Sequence, residues 1–200
     1  MDSSRRDILL DAVLLELSRT GYAELSVQGV LADTGVSESE FESEFGEKDA
    51  ALFAAYRRLS ERVVDEAMGS CSDDERWPER IRSGLKALLE MLAAEPEMAR
   101  VLIRSFPGIR PATYQCYVDL LARFVPAMHA GRDYSGVDEE LPSSVELLAV
   151  GAAETLIFVE IDAGRADRLP GMLPEILFTI LVPFIGPERA AEEMQSAATA

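Results

Sequence analysis

Histidine and cysteine, the side chains of zinc and thiol redox sites, are nearly missing from this sequence. Histidine occurs once, at His129, and cysteine twice, at Cys71 and Cys116. Two distant cysteines make neither a disulfide framework nor a zinc site, so Cys116, in an aromatic-rich stretch, is expected to be a buried, inert thiol. No metal and no cofactor is expected. No nucleophile–base pair and no phosphate-cradling glycine loop stands out, so the chain is not expected to be an enzyme. No apolar run approaches the roughly 20 residues of a membrane helix. The first residues, Met1-Asp2-Ser3-Ser4-Arg5-Arg6, lack the apolar core of a signal peptide, which gives the expectation of a cytoplasmic protein. Positive charge is also scarce, with 19 Lys and Arg against 36 Asp and Glu, a formal net charge of −17.

Strand-like alternation is absent too, and what remains is helical periodicity. Leu10, Val13, Leu14 and Leu17 recur at helical spacing, and Gly21 closes that helix. Ser26 can cap a short second helix over 27–33. Gly35, in Thr34-Gly35-Val36, can supply the positive φ of a turn. Ser37-Glu38-Ser39-Glu40 has the form of a capping box opening a third helix, and Gly46 ends it. A long fourth helix follows over 47–68, with Leu52, Tyr56, Leu59 and Val63 on one stripe. Beyond the polar stretch 69–75, helices are expected over 76–94, 96–105, 110–130, 142–164 and 170–185, with a loop over 132–141 and fraying from Glu192. Kinks are expected at Pro126, Pro174 and Pro183. The fold class is therefore all-α, with about nine helices.

The compact head, with Leu14, Val30, Val36, Phe41 and Phe45 as its core, resembles the DNA-binding domain of the TetR family of transcriptional regulators. Arg6 through Leu17, Gly21-Tyr22, Ser26-Val27, Thr34-Gly35-Val36-Ser37, Phe41, Phe45 and Lys48-Asp49 carry the resemblance. Trp77-Pro78-Glu79, the segment from Ala94 to Ala99 and Pro183-Phe184-Ile185-Gly186-Pro187-Glu188 resemble the C-terminal domain of an actinobacterial-type branch. The resemblance implies a helix-turn-helix domain over 1–46 and a ligand-sensing and dimerisation domain over 47–200. The implied protein is a ligand-responsive regulator, a repressor, that binds palindromic DNA as a homodimer. Ser26 and Lys48 would hold phosphates, and Arg5 and Arg6 would add backbone contacts. Gln28, Ser37, Ser39 and Ser43 would offer neutral groups to base edges or phosphates.

The surface expected to meet DNA departs from that pattern. Glu38, Glu40, Glu42 and Glu44 occupy the third helix, and residues 1–56 hold 12 acids against four bases, a net of −8. Glu38 and Glu42 are four apart, as are Glu40 and Glu44, so either face turned to DNA would carry two carboxylates. Leu31 replaces the family's usual small residue and should splay the two short helices. Two readings stay open: a DNA-binding regulator, or a sensor or interaction module that has weakened or lost DNA binding.

Met91, Met98, Met128 and the aromatic Phe106, Tyr114, Tyr117, Phe124 and Phe158 are candidates for the pocket that the resemblance implies, taking an apolar small molecule. Leu148, Ala152, Thr155 and Val159 on one helix, with Leu173, Ile176, Leu177 and Ile180 on the last, are the candidate dimer interface. Glu154 and Glu160 face partly inward by spacing, with Arg100 or Arg104 as expected partners.

Overall fold

A computed structural model describes residues 3–198 apart from Asp33, Asp73 and 135–140, and among these residues it holds helices and no strand. Helices α1 (Ser3–Glu24), α2 (Val27–Leu31), α3 (Glu38–Phe45) and α4 (Lys48–Gly69) come first. They are followed by α5 (Trp77–Ala94), α6 (Pro96–Arg100), α7 (Pro111–Ala122), α8 (Val125–Tyr134), α9 (Val145–Asp162) and α10 (Leu173–Ala198). The α6 helix continues as a wider turn over Val101–Ser105, where the Phe106 amide donates to Val101 O at 3.0 Å, five residues back. A tight 3₁₀ segment, Ala166–Met172, leads into α10.

Several boundaries differ from those expected. The single helix expected over 110–130 is two, α7 and α8, because Pro126 has no amide hydrogen to continue the ladder. The expected loop over 132–141 begins later, since α8 runs to Tyr134, and 135–140 lie outside the described residues. The end does not fray at Glu192: helix persists to Ala198, with Ala190 and Ala197 buried. In α10 the sharp break falls at Gly186 (φ 77°), beyond Pro183.

The chain forms two compact units, one of Met1–Arg62 with Glu97–Tyr117, the other of Val63–Pro96 with Val118–Ala200. In the first, Leu10, Leu14 and Leu17 of α1 are buried with Val30, Val36 and Phe41. The α4 stripe of Leu52, Tyr56 and Leu59 is buried as its spacing requires. Phe106 is wholly buried, stacked on Tyr56 with centroids 3.7 Å apart and meeting Phe53 edge-on at 5.5 Å. The Tyr56 hydroxyl donates to Leu102 O at 3.1 Å, and burial pushes its pKa well above the ordinary phenol value.

In the second unit Trp77 is the hub. Its indole Nε1 donates to Ala127 O at 2.9 Å, and its ring meets Phe184 at 5.0 Å and Tyr134 at 6.1 Å. Gly131 of α8 lies directly under that ring: a Cβ there would come within 2.5 Å of Trp77 and 2.8 Å of Phe184. Residues Ala166–Ala198 are apolar and long enough to cross a membrane by length and composition. Yet Leu169, Ile176, Leu177, Leu181 and Phe184 have no accessible surface, so this apolarity fills a protein core.

Two carboxylates tie α9 to its surroundings. Glu146 is buried and receives Arg132 as a fork, Nη2 to Oε2 at 2.9 Å and Nε to Oε1. Arg132 also donates to Leu141 O at 3.0 Å and Pro142 O at 2.6 Å, and His129 Nδ1 lies 3.0 Å from Glu146. Glu160 is paired with Arg165 at 2.7 and 2.8 Å and with Arg168 at 3.6 Å. For Glu160 the expected partners, Arg100 and Arg104, are therefore corrected: its partners Arg165 and Arg168 come from the segment just after α9, five and eight residues along the chain. Cys116 is half-buried, not buried.

Replacing Gly131 by alanine should destabilise the protein by about 1–3 kcal/mol, because the hydrogen-bonded Trp77 ring has nowhere to go. Urea titration of G131A against wild type measures it, and an unchanged midpoint would refute the close packing. Acid should act on Glu146. The Arg132 fork holds its pKa at about 2, below the ordinary 4.5. Its stabilising effect is thus complete above pH 4.5 and lost as pH falls toward 2. Over that window Glu146→Gln should show a shallower loss of stability than wild type in denaturant titrations.

Candidate nucleic-acid interface

The third helix starts where its sequence says it should. Ser37 Oγ accepts from the Glu40 amide at 3.3 Å, and Glu40 Oε2 accepts from the Ser37 amide at 2.9 Å, so the capping box is closed. The Ser37 amide, and after it the Ser37 hydroxyl donating to Glu40 Oε2 at 2.7 Å, hold the Glu40 carboxyl below the usual carboxylate range. Ser26 caps α2 in the same manner, accepting from the Gly29 amide at 3.1 Å.

Phe41 and Phe45 are one turn apart, with ring centroids 5.3 Å apart, Phe41 buried and Phe45 half-buried. They define the inward side of α3. At about 100° per residue, Ser39 and Ser43 project from the opposite side, and both are exposed. The glutamates lie on the two flanks, Glu38 and Glu42 on one and Glu40 and Glu44 on the other. This corrects the expectation that any face turned outward carries two carboxylates. The outermost line of the helix is a pair of serines.

Three of the four glutamates are engaged by neighbouring helices. Arg5 Nη1 donates to Glu40 Oε1 at 3.0 Å, and Arg6 Nε donates to Glu44 Oε1 at 2.8 Å. Arg6 also covers the Phe45 ring at 5.6 Å. Gln28 Nε2 of α2 reaches Glu38 Oε1 at 3.3 Å. Glu42 is exposed and has no side-chain partner among the described residues. Lys48 Nζ donates to Leu25 O at 3.0 Å and sits 4.9 Å from the Tyr22 ring, with its remaining ammonium hydrogens uncommitted by these contacts.

Contacts thus tie Arg5, Arg6 and Gln28 to the glutamates of α3 and Ser37 to Ser39, while Ser43 is exposed on α3 and Lys48 contacts Leu25 and Tyr22. Sequence reasoning missed the partners: arginines adjacent at 5 and 6 and glutamates four apart at 40 and 44 were the only trace of the α1–α3 ion pairs. It also missed the partners of Asp49, which accepts from the Tyr22 hydroxyl at 2.9 Å and from Arg110 Nη2 at 2.8 Å. Leu31 is half-buried, and its carbonyl accepts from the Thr34 amide at 3.1 Å.

The pocket candidates divide between the two units. Met98, Phe106, Tyr114 and Tyr117 belong to the first, where Phe106 is packed solid and Tyr114 is 58% exposed. Met91, Phe124, Met128 and Phe158 belong to the second, on or beside α5, α8 and α9, with Met128 buried and the others half-buried. The interface candidates divide as well. On α9, Leu148 is 64% and Val159 50% exposed, with Ala152 and Thr155 between them. Leu173, Ile176, Leu177 and Ile180 are buried within their own unit, so they have almost no area left to offer a partner.

No protein-family model and no curated protein matches the chain. Solved structures do match. A TetR-like transcriptional regulator from Rhodococcus sp. RHA1 superimposes with a TM-score of 0.70 at 20% identity, over 89% of this chain and 96% of that one. The fatty acid degradation regulator FadR from Bacillus halodurans gives 0.77 at 15% identity, over 88% and 97%. A TetR-family regulator from Streptomyces coelicolor gives 0.67 at 18% identity, over 100% and 90%. The fold is that of TetR-like transcriptional regulators.

Proposed function

We propose that this protein is a ligand-responsive transcriptional regulator, a repressor, that binds a palindromic operator as a homodimer in the cytoplasm. The observation that carries this reading is the Ser39–Ser43 line on the outer side of α3, which offers a groove two neutral hydroxyls between the flanking carboxylates. Residues 1–46 would form the DNA-binding part and 47–200 the sensing and dimerisation part. Ser26, Lys48, Arg5 and Arg6 would meet phosphates, while Gln28, Ser37, Ser39 and Ser43 would reach bases or backbone. The exposed Leu148 and Val159 on α9, with Ala152 and Thr155 between them, support pairing with a second copy. An apolar small molecule among Met91, Phe124, Met128 and Phe158 is the proposed effector. It would act only through unequal affinity for two conformations.

The second reading is a sensor or interaction module with lost DNA binding. It is favoured by the engagement of Arg5, Arg6 and Lys48 within the protein itself.

Selection of bound fragments from genomic DNA, at low and moderate salt, separates the two. The expected outcome is a palindromic site, with half-sites about one helical turn apart and affinity falling as salt rises. Ser43→Glu should weaken that binding roughly tenfold or more by placing a charge in the groove. A folded protein that recovers no fragment above background at low salt would establish the second reading. In sedimentation, L148E/V159E should shift a dimer to monomer, and an unchanged sedimentation coefficient would place the interface elsewhere.

A further inference from the structure

We infer that Glu40 and Glu44 are specificity determinants that suppress binding to arbitrary DNA by holding Arg5 and Arg6 in ion pairs. The inference rests on the DNA-binding reading above. Both arginines stand at the start of α1, and both are committed to the flank of α3: Arg5 to Glu40 at 3.0 Å and Arg6 to Glu44 at 2.8 Å. The second pair is the more sheltered, with the Glu44 side chain 24% exposed and Arg6 lying over Phe45.

Sequence-independent affinity comes from cations that neutralise phosphates and release counterions. A cation already neutralised by a carboxylate must exchange partners first, and the carboxylate it leaves then stands bare beside the duplex. The exchange gains little on DNA that offers phosphates alone. It becomes favourable only where the groove also accepts Ser39, Ser43 and Gln28. Repulsive elements of this kind raise the ratio of correct to incorrect binding at the expense of affinity. The flank positions suit the role, since the glutamates lie beside the outer serine line and not on it. Glu40→Gln keeps the capping box, which accepts Glu or Gln at that position.

The test is binding of a duplex of arbitrary sequence, followed by fluorescence anisotropy against salt, for wild type, E44Q and E40Q/E44Q. Helical circular dichroism checks folding. Freed arginines should raise low-salt affinity roughly tenfold and steepen the log–log salt slope by about one for each pair released. The quadruple variant R5Q/R6Q/E40Q/E44Q should lose that gain. If it keeps the gain, the glutamates act by general repulsion and the inference is wrong. No change in E44Q and E40Q/E44Q, in a protein whose wild type binds its selected operator, also overturns it while leaving the regulator reading intact. Failure of wild type and every variant to bind any duplex overturns both.

Discussion

Scarcity of positive charge is the constraint on which the arrangement of helices depends. With 36 acids and 19 Lys and Arg, arginines have abundant partners within reach, and they are used where two helices meet. Arg5 and Arg6 join α1 to α3, and Arg58 of α4 reaches Asp7 and Asp11 of α1. Arg76 at the start of α5 lies 3.3 Å from Glu193 near the end of α10, and Arg132 ties α8 to Glu146 of α9. Each such tie uses a cation to hold two elements together, and the same cation is then less available to a ligand. On the proposed reading, structure and recognition would compete for one small supply of charge.

The energy of the fold lies elsewhere. Exposed ion pairs contribute about 0–1 kcal/mol each, whereas one buried large apolar side chain contributes about 1.5–3 kcal/mol. Leu9, Leu10, Leu52, Phe106, Leu169 and Phe184 have no accessible surface at all. The pairs therefore choose among packings that the apolar residues make possible. The arrangement at Trp77 shows the division of labour: ring, Gly131 and Phe184 fill space, while Arg76 beside it reaches Glu79, Tyr134 and Glu193.

The helix-turn-helix was legible because its signals are local. Ser26 and Ser37 cap within three residues, Gly35 and Gly46 take positive φ, and the apolar period is repeated within single helices. Contacts that join distant stretches were not. Nothing near Phe106 in the chain says that it stacks on Tyr56 and is filled in too tightly to line a cavity. The four α10 residues suited an interface by apolarity, but apolarity does not distinguish a core from an interface, and the core takes them. Glu160 misled in the other direction, because its partner arrives by a chain reversal only five residues on. The compact units also divide the chain differently from the functional boundary drawn at residue 46, since 47–62 and 97–117 pack with the head.

An acidic α3 does not by itself contradict the proposed DNA-binding reading, because formal charge and presented charge are different quantities. A carboxylate on the flank of α3, bonded to an arginine of α1, presents a dipole to its surroundings rather than a net charge, and its field falls off faster. Glu40 and Glu44 are in that state, and Glu38 is at least hydrogen-bonded by Gln28. Glu42 alone of the four stands unpartnered among the described residues, and one carboxylate in a groove can be matched by the exocyclic amino group of cytosine. On the proposed DNA-binding reading, the balance then tilts on whether a duplex offers Arg5 and Arg6 more than Glu40 and Glu44 do. On phosphates alone the offers are close, since both are anions meeting a guanidinium in water. A sequence that also engages the serine line adds what the carboxylates cannot, and the surplus comes from base contacts rather than from charge.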